Sequence, residues 1–358
     1  MEVEVAIDRK PVTIHYRRYV NQPGRPTLEQ LVTSAMQANH NGAMVAARYT
    51  SRIQTVNADN FLNNIFRQQS AGGEPLAFGD VVHFTRGHLQ AVLQMAGPTS
   101  SQLIVAQMAA PEQSEYVHSQ MFWLIKGDHV FVIQSISLQT EALEKYLAWL
   151  LSTYVPGWGG EIALATKFDS GAVGGDLEDI KELVIGGTLS GPQVVDAQEA
   201  APPEGEGQHV VRDIVRDQNL VARQSSGREM ARGVLEAIMN HDTAAADRVL
   251  QAVPADAELH VQVHIGYKTR KRRVDKTSLR NLEVGLRHLP DSQLSVVAKG
   301  GVRSPDGNIR LHHNASVTLI KAQFGESEIV GSLLDPTDAL RAMGQAYAVM
   351  LADGKIAD

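Results

Sequence analysis

Short runs in which apolar residues alternate with polar ones recur along this chain, broken by fewer stretches whose apolar residues return every three or four positions. Val3, Val5 and Ile7 alternate at the start, and Leu259, Val261, Val263, Ile265 and Tyr267 alternate with His260, Gln262, His264 and Gly266 near the end. A strand of this kind turns one face inward and wets the other, so it requires both a sheet and a covering layer. The expected fold is therefore α+β, with mixed sheets packed by helices in two or three parts.

The periodicity places the elements. Strands are expected at Val12 to Tyr16, Ala43 to Arg48, Val81 to Thr85, Leu89 to Met95, Leu103 to Gln107 and Val130 to Leu138. Thr27-Leu-Glu-Gln30 has the form of a capping box, and Leu28, Leu31, Val32, Ala35 and Met36 follow at helical spacing. Thr140 opens a second helix through Leu143, Leu147, Leu150 and Leu151. Two more helical stretches run near residues 227 to 240 and 242 to 253. Asp275 is placed to cap a helix packing through Leu279, Leu282 and Leu286. A strand at Leu294 to Lys299, a turn at Ser304-Pro-Asp-Gly307 and a return strand at Asn308 to His313 read as a hairpin. Asp335-Pro-Thr-Asp338 begins a closing helix with Leu340, Met343, Tyr347 and Leu351 on one face, a stripe suited to a core, and Gly354 beyond its end.

At 358 residues and 43% apolar content the chain exceeds what one core usually holds. Pro156-Gly-Trp-Gly-Gly160 is the first expected boundary, giving an N-terminal α+β domain over 1–157. A weak strand region runs from Ile162 to Leu189. An acidic middle region follows over 158–256, whose segment 191–209 is rich in proline and acids and reads as a linker. The C-terminal α+β region is 257–358. These three parts carry 11 basic and 12 acidic, 8 and 17, and 14 and 11 side chains, so the net charge of −7 hides a positive last third. With no cysteine, disulfides, thiolate metal sites and a cysteine nucleophile are excluded. Acids at Glu2 and Glu4 stand where a signal peptide would be basic, and no apolar run approaches the ~20 residues of a membrane span. The expected compartment is the cytoplasm.

Tests for chemistry return no catalytic centre. Phosphate-loop and dinucleotide glycine patterns are absent, and Ser190 in Gly187-Thr-Leu-Ser-Gly191 sits one place too late for a nucleophile elbow. The pairs His260 and His264, His312 and His313, and His83 and His88 lack metal-ligand company and read as polar strand-face residues. No metal or cofactor is expected. A metal-dependent nuclease of a phage-defence system is the alternative reading. Its nearest pattern, Pro290-Asp291 with Val297-Ala-Lys299, has valine where a second carboxylate belongs. A protein-interaction module with an acidic partner is a third reading.

Lys268, Arg270, Lys271, Arg272, Arg273, Lys276 and Arg280 place seven cations in thirteen residues against Asp275 alone. Such density repels itself unless anions offset it, and phosphate neutralisation is its natural use. Lys276, Arg280 and Arg287 fall along one helix flank, while Lys299 and Arg303, with Arg310, would extend the surface from the hairpin. Neither a base-reading motif nor a stacking platform accompanies them, since Tyr267 is the only adjacent aromatic. The expected ligand is double-stranded DNA, bound without sequence preference.

The order of elements resembles that of the RexA exclusion proteins of lambda-type temperate phages and, more distantly, the KwaB phage-defence proteins. It is carried by Phe61-Leu-Asn-Asn-Ile65, Gly79-Asp-Val-Val-His-Phe84 and Gly97-Pro-Thr-Ser-Ser101 in the first part. In the last part it is carried by Tyr267-Lys-Thr-Arg-Lys-Arg-Arg273, Leu294-Ser-Val-Val-Ala-Lys299, the turn at Asp306 to Ile309 and Ala346-Tyr-Ala-Val-Met350. Residues 160 to 256 depart from that pattern. The resemblance implies a prophage-made homodimer that binds duplex DNA, has no catalysis of its own, and works with a separate membrane channel partner of the RexB kind in superinfection exclusion.

Overall fold

The computed structural model describes residues 8–71, 74–94, 104–169, 180–185, 263–266, 276–288, 294–298, 309–324 and 327–357. The expected strand at Val3 to Ile7, the linker 191–209 and the helical stretches at 227–240 and 242–253 lie outside them. So do Asp275 and the turn at 304–307.

The chain divides into two compact units that interleave in sequence. One comprises Met1–Ala172, Arg273–Leu289 and Asn308–Asp358, the other Val173–Arg272 and Pro290–Gly307. Consecutive parts bounded at 157 and 257 therefore give way to a first unit built from both ends of the chain. Pairing explains why: β1 (Arg9–Tyr19) takes β16 (His312–Phe324) as its antiparallel neighbour, with Arg9 opposite Thr318 and His15 opposite His312. The helix α2 (Thr140–Tyr154) does stop before Pro156, as expected. The chain nonetheless stays in the same unit, because β12 (Leu164–Ala165) pairs with β1 beyond the turn.

The main sheet has ten strands, all antiparallel. Its path runs β17 (Ser327–Leu334), β16, β1, β11 (His129–Ile133), β10 (Val117–Lys126), β7 (Glu74–Thr85), β5 (Asp59–Leu62) and β4 (Ile53–Val56), with β12 on β1 and β6 (Phe66–Ala71) on β7. Among the described residues two small ribbons, β2 (Asn39–His40) with β3 (Ala43–Met44) and β8 (Leu89–Gln94) with β9 (Ile104–Ala109), add to the β structure of this unit. Helices cover both faces of the sheet. On one, α1 (Leu28–Gln37) and α2 bury Leu28, Val32, Met36, Leu143 and Leu147 against Met121, Trp123, Ile125 and Val132. On the other, α4 (Pro336–Ala352) buries Ala339, Met343 and Ala346 against Tyr16, Phe122, Leu124 and Phe131. With both faces covered, β10 reads Met-Phe-Trp-Leu-Ile over 121–125 with every side chain buried, and the alternation that marks a half-wet strand disappears.

Several expectations are met in detail. Thr27 accepts from the Gln30 amide at 3.3 Å while the Gln30 side chain receives the Thr27 amide at 3.0 Å. Asp335 caps α4 by accepting from the Asp338 amide at 2.8 Å, and Gly354 takes φ +66° past its end. Met343 is fully buried, and Leu340, Tyr347 and Leu351 pack half-buried on the same core, so that stripe is used inside the molecule.

Others are corrected. The run at Ala43 to Arg48 is a two-residue strand followed by tight turns, because the Val45 amide bonds back to Ala38 at 3.0 Å and buries its side chain against α1. The strand from Val130 stops at Ile133, where Ser135 and Leu138 close a turn. Among the described residues, 294–298 and 309–313 do not pair as the expected hairpin. In the second unit, described by a three-stranded antiparallel sheet, β15 (Leu294–Ala298) pairs with β13 (Ile180–Ile185), whose other neighbour is β14 (Val263–Gly266). In the first unit Arg310 bridges Phe168, and His312 begins β16. Among the described residues no helix is long and apolar enough to cross a membrane.

Candidate nucleic-acid interface

Of the ten cations expected to contact phosphate, Lys276 and Arg280 lie on helix α3 (Lys276–Gly285) and Arg287 follows its last turn. Lys268, Arg270, Lys271, Arg272, Arg273, Lys299 and Arg303 lie outside the described residues.

Helix α3 is fixed to the first unit at its C-terminal half by polar contacts that satisfy its free carbonyls and its neighbours' amides. Glu283 is central: its carbonyl accepts from the Thr166 amide at 3.3 Å and hydroxyl at 3.1 Å, and its carboxylate from the Phe168 amide at 2.9 Å. Glu144 of α2 accepts from the Leu164 amide at 2.6 Å, from Arg287 Nε at 3.1 Å and bonds His288 Nε2 at 2.7 Å. The Arg310 guanidinium donates to the Leu286 carbonyl.

These contacts sort the expected cations. Arg287 is turned inward: its partner Glu144 is 6% exposed, and withdrawing the guanidinium would leave a buried carboxylate short of a charge. Arg310 is 2% exposed and serves the helix end, so it does not extend a surface. Arg280 is exposed on α3, and among the described residues it makes no ion pair within 4 Å. Glu283 is pushed above the ordinary carboxylate range by desolvation, outweighing its bond to Phe168 and the nearby charges of Lys167, Arg280 and Arg18. Desolvation likewise lowers Lys167, whose ammonium donates to the Lys355 carbonyl. Arg18 and Lys167 thus stand around the same carboxylate as Arg280, two cations that sequence spacing did not associate with it. Pairing across 147 residues of chain is the missing signal, since the register of β1 with β12 brings Arg18 beside Ala165.

The histidine pairs also resolve. His83 approaches Asp59 at 3.1 Å and contacts the ring of His118, which in turn meets His88, at centroid distances of 5.1 and 4.6 Å. A bulge between Val117 and Ser119 aims His118 toward them. His312 bonds the Arg310 carbonyl at 2.8 Å. His260 is outside the described residues. Among the described residues no group of three or more His, Asp or Glu side chains is arranged to hold a metal ion.

No protein-family model and no curated protein matches the chain. Two of the three N-terminal motifs singled out in the sequence, Phe61 to Ile65 and Gly79 to Phe84, meet in space. Asp80 of the second motif accepts from the amides of Asn64 and Ile65 of the first at 2.9 and 2.7 Å, and Asn63 donates to the Asp80 carbonyl at 2.7 Å. A Cβ on Gly79 would come within 2.7 Å of both Asn63 Nδ2 and the Ile65 carbonyl. Together they fasten the point where β5 leaves the edge of β7 and β6 takes it over, which is a structural task.

Proposed function

We propose that the protein binds double-stranded DNA without sequence preference, through the basic stretch from Lys268 to Arg280, and acts in phage superinfection exclusion as a RexA-like homodimer with a separate membrane channel partner. The observation that carries this reading is the cation density, seven in thirteen residues with one acid among them. Arg280 supports it by standing exposed on a helix whose other end is fixed by Glu144 and Glu283, so that a phosphate contact there costs little ordering. The resemblance in element order supports the exclusion role and the partner.

A gel shift on two unrelated duplexes at two salt concentrations tests it. Neutralising Arg270, Lys271, Arg272 and Arg273 together is expected to weaken both duplexes equally and to lower the log-log salt slope by ~3 to 4. Unchanged affinity in a folded variant would remove the assignment.

A further inference from the structure

Register places a second set of cations on one face of the main sheet. Lys126 on β10 lies opposite His129 on β11, and His129 lies opposite Arg18 on β1. Directly opposed residues of an antiparallel pair project from the same face, so the three form a row across three strands, about 10 Å from end to end at the usual strand spacing. His129 is the buried middle of the row, 7% exposed with Nδ1 bonded to the Tyr16 hydroxyl at 2.7 Å. Arg18 is exposed, and Lys126 is half-buried with its ammonium over the Tyr347 ring of α4, 4.7 Å from the centroid.

Acids near this row are already engaged. Asp128 accepts from the Leu28 amide at 2.9 Å at the start of α1, Asp169 pairs with Lys355 at 3.1 Å, and Glu283 is buried against the Phe168 amide. Arg18 and Lys126, like Arg280, make no ion pair within 4 Å among the described residues. The result, among the described residues, is a group of cations without an ion pair on the main sheet, assembled from β1, the strand end of β10 and α3.

We propose that Arg18 and Lys126, with Arg280 beside them, form a phosphate-contacting surface of the first unit that takes the backbone of duplex DNA. This rests on the DNA-binding reading and adds to it residues far in sequence from the basic stretch. Held on paired strands, such cations lose little side-chain freedom on contact, and each phosphate met releases counterions.

The test is fluorescence anisotropy on two unrelated duplexes across a salt series, with the full chain. The double variant Arg18→Gln with Lys126→Gln is expected to bind both duplexes more weakly and to lower the salt slope by about 2. The charge-keeping pair Arg18→Lys with Lys126→Arg is expected to retain the wild-type slope, which separates charge from fold. Lys145→Gln, on the opposite face of the sheet and 71% exposed, is the control and should leave the slope alone. An unchanged slope in the glutamine pair, or a loss just as large in the charge-keeping pair, overturns this surface and leaves the basic stretch standing. Failure of the wild type to retain any duplex at low salt overturns both.

Discussion

Asp80 shows how a single carboxylate can fix a sheet while being held at a disadvantage. Besides the amides of Asn64 and Ile65 it accepts from Gln120 Nε2 at 2.9 Å, and its own carbonyl receives Trp123 Nε1 at 3.3 Å. Burial still pushes its carboxyl above the ordinary range, because desolvation outweighs those bonds. Asp80→Asn removes the charge yet keeps an acceptor for both amides. Turning the Gln120 amide over would also employ its Oε1, which is buried with no hydrogen-bond partner as placed. That variant is expected to stay within about 1 kcal/mol of the wild type at neutral pH, whereas Asp80→Ala leaves two part-buried amides without their acceptor and should cost ~1 to 3 kcal/mol. Since the folded-state pKa is the higher one, the folded protein binds more protons across the window above the unfolded value. Wild-type stability relative to Asp80→Asn should therefore fall as pH rises through that window and level off below it. Urea midpoints of the pair measured against pH check the sign. Nothing in the spelling of Phe61-Leu-Asn-Asn-Ile65 or Gly79-Asp80 announced this role, because the acceptor and its donors are 15 and 16 residues apart and meet only when β6 replaces β5.

Elements whose stability is written locally were legible, and those decided by distant partners were not. Capping is local chemistry: Thr27 with Gln30, and Asp335 with Pro336, fix where α1 and α4 begin from four consecutive residues each. Asp335→Ala is accordingly expected to cost about 1 kcal/mol through loss of the 2.8 Å bond to the Asp338 amide, while Asp335→Ser or Asp335→Asn should recover most of it; thermal unfolding of the three variants is the measurement. By contrast β10 is buried on both faces, so its five apolar residues carry no period that separates strand from helix. The return strand at 308–313 failed for a different reason. A good turn sequence at 304–307 suggested a hairpin, but β15 found β13 and the chain beyond the turn entered the first unit instead. Arg287 and Arg310 illustrate the same limit for the site, since helical offset placed Arg287 on a charged flank and only Glu144, from a helix 143 positions earlier, drew it inward.

At the scale of the whole molecule, the first unit is closed by chain ends brought together through β1 and β16, and its cations gather from elements equally far apart in sequence. Arg18, Lys126 and Arg280 span most of the chain, so the charge pattern along it showed the basic stretch and hid the sheet-borne set. A monomer offering a few such contacts would bind duplex weakly at physiological salt, because each contact contributes a modest, screened increment. Two copies held on one body act on the same duplex at high effective concentration and raise avidity by ~10² to 10⁴ without any new kind of contact. The apolar stripe of α4 does not provide the joint, since Met343 is buried and Leu340, Tyr347 and Leu351 pack on the unit's own core. A closed two-fold pair through another surface is the expectation, because most soluble homo-oligomers have that symmetry and it presents both cationic surfaces with a fixed spacing. Light scattering at low micromolar concentration should give about 78 kDa, twice the 38.9 kDa chain. A mass near 39 kDa both with and without duplex would exclude the dimer and would require the monomer's own cations to account for all DNA retention.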